Sequence, residues 1–190
     1  MILLIDNYDS FTFNLYQLLG VRCGTHDELR VVRNDALTAD ALVALRPDHV
    51  VLSPGPGHPR SSGLTLLATD LFPQTPLLGI CLGHQALGLS QGAQVVRAPH
   101  PTHGQSVPIH HDETGLFRGV ATPARAALYH SLVLAQDELP ETLSVTARSA
   151  YGDTMAIQHR DRPHFGVQFH PESFMTDDGP TLIDNFLGTR

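Results

Sequence analysis

The stretch PLLGICLGHQALGL, residues 76–89, places Cys81 between two glycines where an apolar run gives way to a helical pattern. PLLGIC reads as a buried strand and LGHQALGLSQG as a helix. The cysteine therefore falls on the bend between them. G-x-C-x-G is the thiol counterpart of the nucleophile elbow, in which a strained strand-to-helix turn exposes the attacking atom. Gly79 and Gly83 allow neighbouring backbone to pass close and permit a tight turn. A thiol at a helix N-terminus also feels the positive end of the peptide dipoles, which favours the thiolate. The other reading of this pentapeptide is a small buried hydrophobe.

Working outward, the first half of the chain repeats strand and helix: MILLID then SFTFNLYQLLG, LRVVRN then ADALVAL, HVVLSPGPG then GLTLLATDLF. Such alternation predicts a parallel sheet covered on both faces. The second half carries short β-rich runs, QSVPIH, AALYHSLVL, LSVTARS, TMAIQH and HFGVQFHPE, before a closing helix near GPTLIDNFLG. The expected fold is α/β: an open, doubly wound, mostly parallel sheet of flavodoxin-like type with an added antiparallel element, formed by residues 1–190 as a single domain. In such sheets ligands sit beyond the carboxyl ends of the strands.

Composition narrows the function. The 190 residues are 42% hydrophobic, enough for a core, and the net charge of -7 comes without a basic block. Nucleic acid is thus not an expected partner. No apolar run approaches the roughly 20 residues of a membrane span, and MILLIDNYDS lacks the basic flank of a signal peptide, so no membrane association and a cytoplasmic location are expected. Two cysteines, Cys23 and Cys81, in a reducing compartment argue against a disulfide scaffold.

A cysteine nucleophile needs a base, and the base needs a group to fix its tautomer. GVQFHPES supplies His170 and Glu172 at the end of the last strand-like run. An extended backbone would turn both side chains the same way, with Pro171 limiting their movement. A surface His and Glu in a turn is the alternative. LSPGPGHP, residues 52–59, reads as a rigid loop after a strand, where glycine lets N–H groups approach an oxygen. The Gly57 and Leu82 amides are the natural pair for a developing oxyanion; a plain turn is the rival reading.

These motifs together resemble the class I glutamine amidotransferases, whose signature is carried here by GICLGHQ and FHPE. DNYDSFTFNL (6–15), LSPGPG (52–57), YHSL (129–132) and GVQFHPES (166–173) look more narrowly like the glutaminase subunits of anthranilate synthase and of aminodeoxychorismate synthase. The resemblance implies that Cys81 is the nucleophile, His170 the general base and acid, and Glu172 the orienting carboxylate. It further implies that Gln85 contacts bound L-glutamine, while Gly55, Pro56, Gly57, Ser131 and Leu132 hold its polar groups largely through backbone. It implies no cofactor in this chain. The expected partner is a larger chorismate-using synthase subunit that carries Mg2+, and NYDSFTFN resembles the segment facing it.

Phe11, Phe13 and Leu15 of that segment read equally well as core. The chain has no phosphate loop or acidic metal cluster for the acceptor chemistry. Relatives commonly carry Lys and Arg where Gln105 and Leu128 stand here. APHPTHG and IHHDE are rich in histidine, but His110 and His111 are adjacent and would face opposite sides of a strand, so no metal site is expected. A non-catalytic flavodoxin-like binding module and a hydrolase of γ-glutamyl peptides are the rival functions.

Overall fold

A computed structural model describes residues 1–23, 29–136 and 139–189, apart from the side chain of Cys23. The chain runs β1 (Ile2–Asp6), α1 (Thr12–Cys23), β2 (Leu29–Arg33), α2 (Ala39–Val43), β3 (His49–Leu52), α3 (Leu64–Leu71), β4 (Leu77–Ile80) and α4 (Leu82–Ser90). It continues with β5 (Val95–His111), β6 (Ala124–Leu134), β7 (Leu143–Ser149), β8 (Thr154–His159), β9 (His164–Val167) and α5 (Gly179–Leu187). One sheet holds all nine of these strands in the order β2-β1-β3-β4-β9-β8-β7-β5-β6. The five strands β2, β1, β3, β4 and β9 pair in parallel, and β8, β7, β5 and β6 extend the sheet in antiparallel fashion.

Along β1, β3 and β4 the alternation of side chains separates two core clusters, one on each face. Ile2 and Leu4 of β1, Val51 of β3, and Leu78 and Ile80 of β4 join Leu15 and Leu19 of α1 and Leu182, Ile183 and Phe186 of α5. Their neighbours Leu3, Ile5, Val50, Leu52 and Leu77 point the other way, to Leu42 of α2 and Leu64 and Ala68 of α3. Burial on both faces explains why these strands read as unbroken apolar runs.

Two expectations need correction. The run QSVPIH is the end of a much longer strand, because β5 starts at Val95. Its ladder with β6 breaks between Arg97 and Thr102 and again between His103 and Gln105. Pro99 and Pro101, which have no N–H to donate, occupy the first break, and Gly104 at φ +70° the second. At the other end, HFGVQFHPE is not extended throughout: β9 stops at Val167, and Glu172 sits in a turn. Alternation along a strand therefore does not bring His170 and Glu172 together. The turn around Pro171 does, closed by the Ser173 N–H donating to the His170 carbonyl at 3.2 Å. The expected pairing question for the cysteines is half answered: Cys81 is a free thiol, and the Cys23 side chain lies outside the described residues.

The glycines flanking Cys81 are required by contact. A Cβ on Gly79 would sit 2.4 Å from the Gly83 carbonyl oxygen, and one on Gly83 would sit 2.5 Å from that of Leu52. The opposing atoms are backbone, which cannot swing aside. Gly79→Ala is therefore expected to cost about 2 kcal/mol or more of stability, at the upper part of the usual range for overpacking. A urea titration that leaves the midpoint unchanged would show that the elbow has slack.

Candidate active site

Cys81 joins β4 to α4 with φ 50° and ψ −100°, a conformation that L-residues rarely adopt. Its N–H donates to the Val167 carbonyl at 2.8 Å, and its own carbonyl accepts the Gln85 N–H at 3.0 Å. The residue is 7% exposed. The strained elbow is therefore tied both to the strand beside it and to the helix it begins.

His170 lies three residues beyond β9, and its backbone N–H donates to the Ala127 carbonyl of β6 at 3.0 Å. Its Nδ1 is 2.6 Å from Glu172 Oε1, and both side chains are almost fully buried. Nε2 makes no full hydrogen bond among the described residues, but the Cys81 sulfur is near enough to bias its proton. Burial opposes a charge on this ring. The adjacent Cys81 sulfur and the Glu172 carboxylate, which is hydrogen-bonded to Nδ1, outweigh burial and raise the imidazole from 6.5 to about 10. A carboxylate on Nδ1 leaves Nε2 as the nitrogen that exchanges a proton with sulfur or substrate.

Gly55, Pro56, Gly57, Cys81, Leu82, Gln85, Ser131 and Leu132 line one cavity of about 190 Å3. His170 and Glu172 are outside that lining. The loop after β3 is held by Asn7, whose N–H donates to Ser53 Oγ and whose Nδ2 donates to the Ser53 carbonyl, both at 2.8 Å. Asn7 Oδ1 in turn accepts from Asn34 Nδ2 at 2.9 Å and Thr65 Oγ1 at 2.6 Å. Gly55 packs so closely on Asn7 that a Cβ there would fall 2.5 Å from the Asn7 Cβ. Gly57 takes φ +82°, which explains glycine at the loop's tip.

His103, Tyr129 and His130 also line the cavity; they fall within the quoted APHPTHG and YHSL, which gave them no role of their own. His103 Nε2 is 2.8 Å from Ser131 Oγ. Burial pushes His130 down to about 4, so this ring is neutral. Gln168 is the more instructive omission. It is fully buried, and its Nε2 donates to the Cys81 sulfur at 3.5 Å. Its Oε1 accepts from Gln85 Nε2 at 3.1 Å, and Gln85 Nε2 also donates to the Leu132 carbonyl at 2.9 Å. Both protons of the Gln85 amide are thus committed, which leaves its oxygen to meet a ligand. A polar residue inside the apolar run GVQF was the available signal. Among the described residues no group of three or more His, Cys, Asp and Glu is placed to hold a metal ion. His111 of the IHHDE motif stacks on Phe117, with ring centroids 4.5 Å apart.

An elbow cysteine, a buried His–Glu pair and a cavity walled by glycine-rich loop and strand end are the components of a cysteine-dependent acyl-transfer site on a doubly wound sheet. Residues 3–189 match the family model for glutamine amidotransferase class-I, and the chain belongs to that family. It is 46% identical over 193 residues to anthranilate synthase component 2 of Pseudomonas aeruginosa, covering 98% of this chain and 94% of that one. It is 47% identical over 188 residues to aminodeoxychorismate synthase component 2 of Escherichia coli, covering 98% of this chain and 99% of that one. A glutamine amidotransferase structure from Thermotoga maritima superposes with a TM-score of 0.74 at 19% identity, over 90% of this chain and 75% of that one; that likeness concerns the fold alone.

Two measurements test the electrostatics. Gln168→Met keeps the volume but removes the donor to sulfur, so alkylation of Cys81 by iodoacetamide near pH 7 should slow several-fold, on the order of one weak hydrogen bond. An unchanged rate would mean that the 3.5 Å contact has no influence. The raised pKa of His170 also means that the folded chain keeps a proton that the unfolded chain releases above pH 6.5. That contribution to stability is complete below pH 6.5 and is lost as pH rises through about 10. The gap in urea midpoint between the wild type and His170→Asn should accordingly narrow across this window; a constant gap would contradict the assignment.

Proposed function

We propose that the chain is the glutaminase subunit of an anthranilate synthase, hydrolysing L-glutamine at Cys81 and delivering ammonia to a chorismate-binding partner subunit. The observation that carries this reading is the junction of Cys81, the His170–Glu172 pair at 2.6 Å and a cavity lined by Gly55–Gly57, Ser131 and Leu132. The Cys81 sulfur attacks the side-chain carbonyl carbon of glutamine. The resulting oxyanion is met by the amides of Gly57 and Leu82. His170 Nε2 gives its proton to the leaving nitrogen, ammonia departs, and the same nitrogen then takes a proton from water as it opens the γ-glutamyl thioester to glutamate. Glu172 holds the imidazole in register through both steps. The side chains at hand suffice for this half-reaction, and the chain acts in the cytosol without a cofactor of its own.

Glutamine hydrolysis alone aminates nothing, and ammonia released into water near neutral pH is mostly protonated and unable to attack. A partner that receives it directly is the chemical complement of the site. A second reading, the glutaminase subunit of aminodeoxychorismate synthase or one subunit serving both enzymes, is favoured to the same degree by the near-equal identities of 46% and 47% to the two kinds of relative.

Glutamate release from glutamine should fall by about 10^3-fold or more in Cys81→Ala. Release by the isolated chain should be low and should rise when the chorismate-using subunit is added. Analysis of the product formed from chorismate and glutamine by the complex then separates anthranilate from aminodeoxychorismate. Full activity of Cys81→Ala would remove the nucleophile assignment, and full activity without any partner would remove the coupling.

A further inference from the structure

The hydrogen bond to Glu172 fixes one point of the His170 ring but leaves it free to tilt about that point. Two other rings close off the tilt. Tyr129 of β6 meets the imidazole nearly at right angles, with centroids 5.1 Å apart and an interplanar angle of 75°. Phe11 meets it at 5.8 Å and 67°, and Phe11 and Tyr129 touch each other at 5.2 Å. The three rings form one cluster.

Phe11 comes from the turn that leads into α1, and that turn is built to hold it. Asp9 Oδ2 accepts the Phe11 N–H at 2.7 Å, and Asp6 Oδ1 accepts both the Tyr8 N–H at 2.9 Å and Thr12 Oγ1 at 2.7 Å. Unlike Tyr129, Phe11 is not among the residues that line the glutamine cavity. Of the three apolar residues considered as core in this segment, Leu15 is fully buried and Phe13 is 77% exposed, while Phe11 is half-buried against the catalytic pair.

We propose that Phe11 is a positioning residue for the glutaminase reaction, holding the His170 imidazole in the orientation that points Nε2 at the Cys81 sulfur. The proposal rests on the glutaminase reading above and names the element that sets its base. Among the described residues, four titratable groups besides Cys81 face His170: Glu172 from its own segment, Asp9 from the turn before α1, and Tyr129 and His130 from β6. Burial raises the Asp9 carboxyl, and burial keeps His130 neutral. Removing the Phe11 ring takes away one of the two aromatic walls against the imidazole. The ring then spends less time against Glu172 and Cys81, and it binds its proton less tightly.

Steady-state glutaminase kinetics and an NMR titration of the His170 ring nitrogens test this on the same proteins. In Phe11→Ala and in Phe11→Leu, which retains apolar bulk, kcat should fall about tenfold or more while KM for glutamine stays within about twofold. In Phe11→Leu, whose apolar bulk keeps the site dry, the His170 titration midpoint should move down. Phe11→Tyr, which keeps the ring, should restore kcat and midpoint together. Wild-type kcat and midpoint in Phe11→Leu would overturn the proposal, as would a rise in KM with kcat unchanged. A wild type that releases no glutamate would remove the glutaminase reading instead, and the NMR titration would still report whether Phe11 sets the His170 ring.

Discussion

The structure depends on the crossing of the β4–α4 elbow over the end of β3. With 2.4 Å and 2.5 Å between hypothetical Cβ atoms and carbonyl oxygens at Gly79 and Gly83, helix α4 starts as near the sheet as backbone permits. That approach forces the intervening residue into positive φ, and the intervening residue is Cys81. The strain is held in place from two sides. Val167 at the end of β9 accepts the Cys81 N–H, and the Gln85 N–H in the first turn of α4 donates to the Cys81 carbonyl. Since β9 leads directly to His170, the same hydrogen bond fixes the sulfur relative to the segment that carries the base. Two motifs far apart in sequence are thereby placed by one short backbone contact.

Around this crossing, two sets of buried polar groups are linked into chains. Asn7 ties the loops after β1, β2 and β3 to α3, and Gln85 and Gln168 link the Leu132 carbonyl to the Cys81 sulfur. Such chains rigidify a site when every member is satisfied. The His170–Glu172 pair is different. A buried ion pair contributes little net stability once desolvation is counted, and Glu172 Oε2 and His170 Nε2 remain without hydrogen-bond partners among the described residues. A substrate or water that reaches Nε2 would complete what folding leaves open, which is the expected state of a group that must move a proton.

The half of the fold made by local periodicity was legible. Strand and helix alternate visibly from Ile2 to Ser90, and the glycine spacing around Cys81 already implied close backbone approach. The cavity residues Gly55, Pro56, Gly57, Leu82, Gln85, Ser131 and Leu132 were reached through motif resemblance, and they meet around Cys81. What depends on tertiary context was not legible. Nothing local tells Phe11 from Phe13, although one packs on His170 and the other is exposed. The twelve histidines look alike in the sequence, yet burial drives His84 down to about 3 and His164 to about 4, whereas His170 rises because a carboxylate and a thiol adjoin it. Strand β5 hid its length behind prolines, and Gln168 was hidden by apolar neighbours.

The antiparallel extension explains why a bare doubly wound sheet would not suffice. The parallel strands supply the elbow after β4 and the glycine loop after β3, which is as much as a flavodoxin-like binding module needs. Strand β6 supplies the remainder: the Ala127 carbonyl that anchors the His170 backbone, the Tyr129 ring that flanks its imidazole, and the Ser131 and Leu132 wall of the cavity. β6 is the outer edge strand, beyond β8, β7 and β5, yet its Ala127 carbonyl meets the His170 N–H just past β9, so the far end of the sheet comes back to the carboxyl ends of the parallel strands. Here the added strands complete the chemistry: β6 anchors the base by its backbone, while β9 ties the segment that carries it to the elbow cysteine.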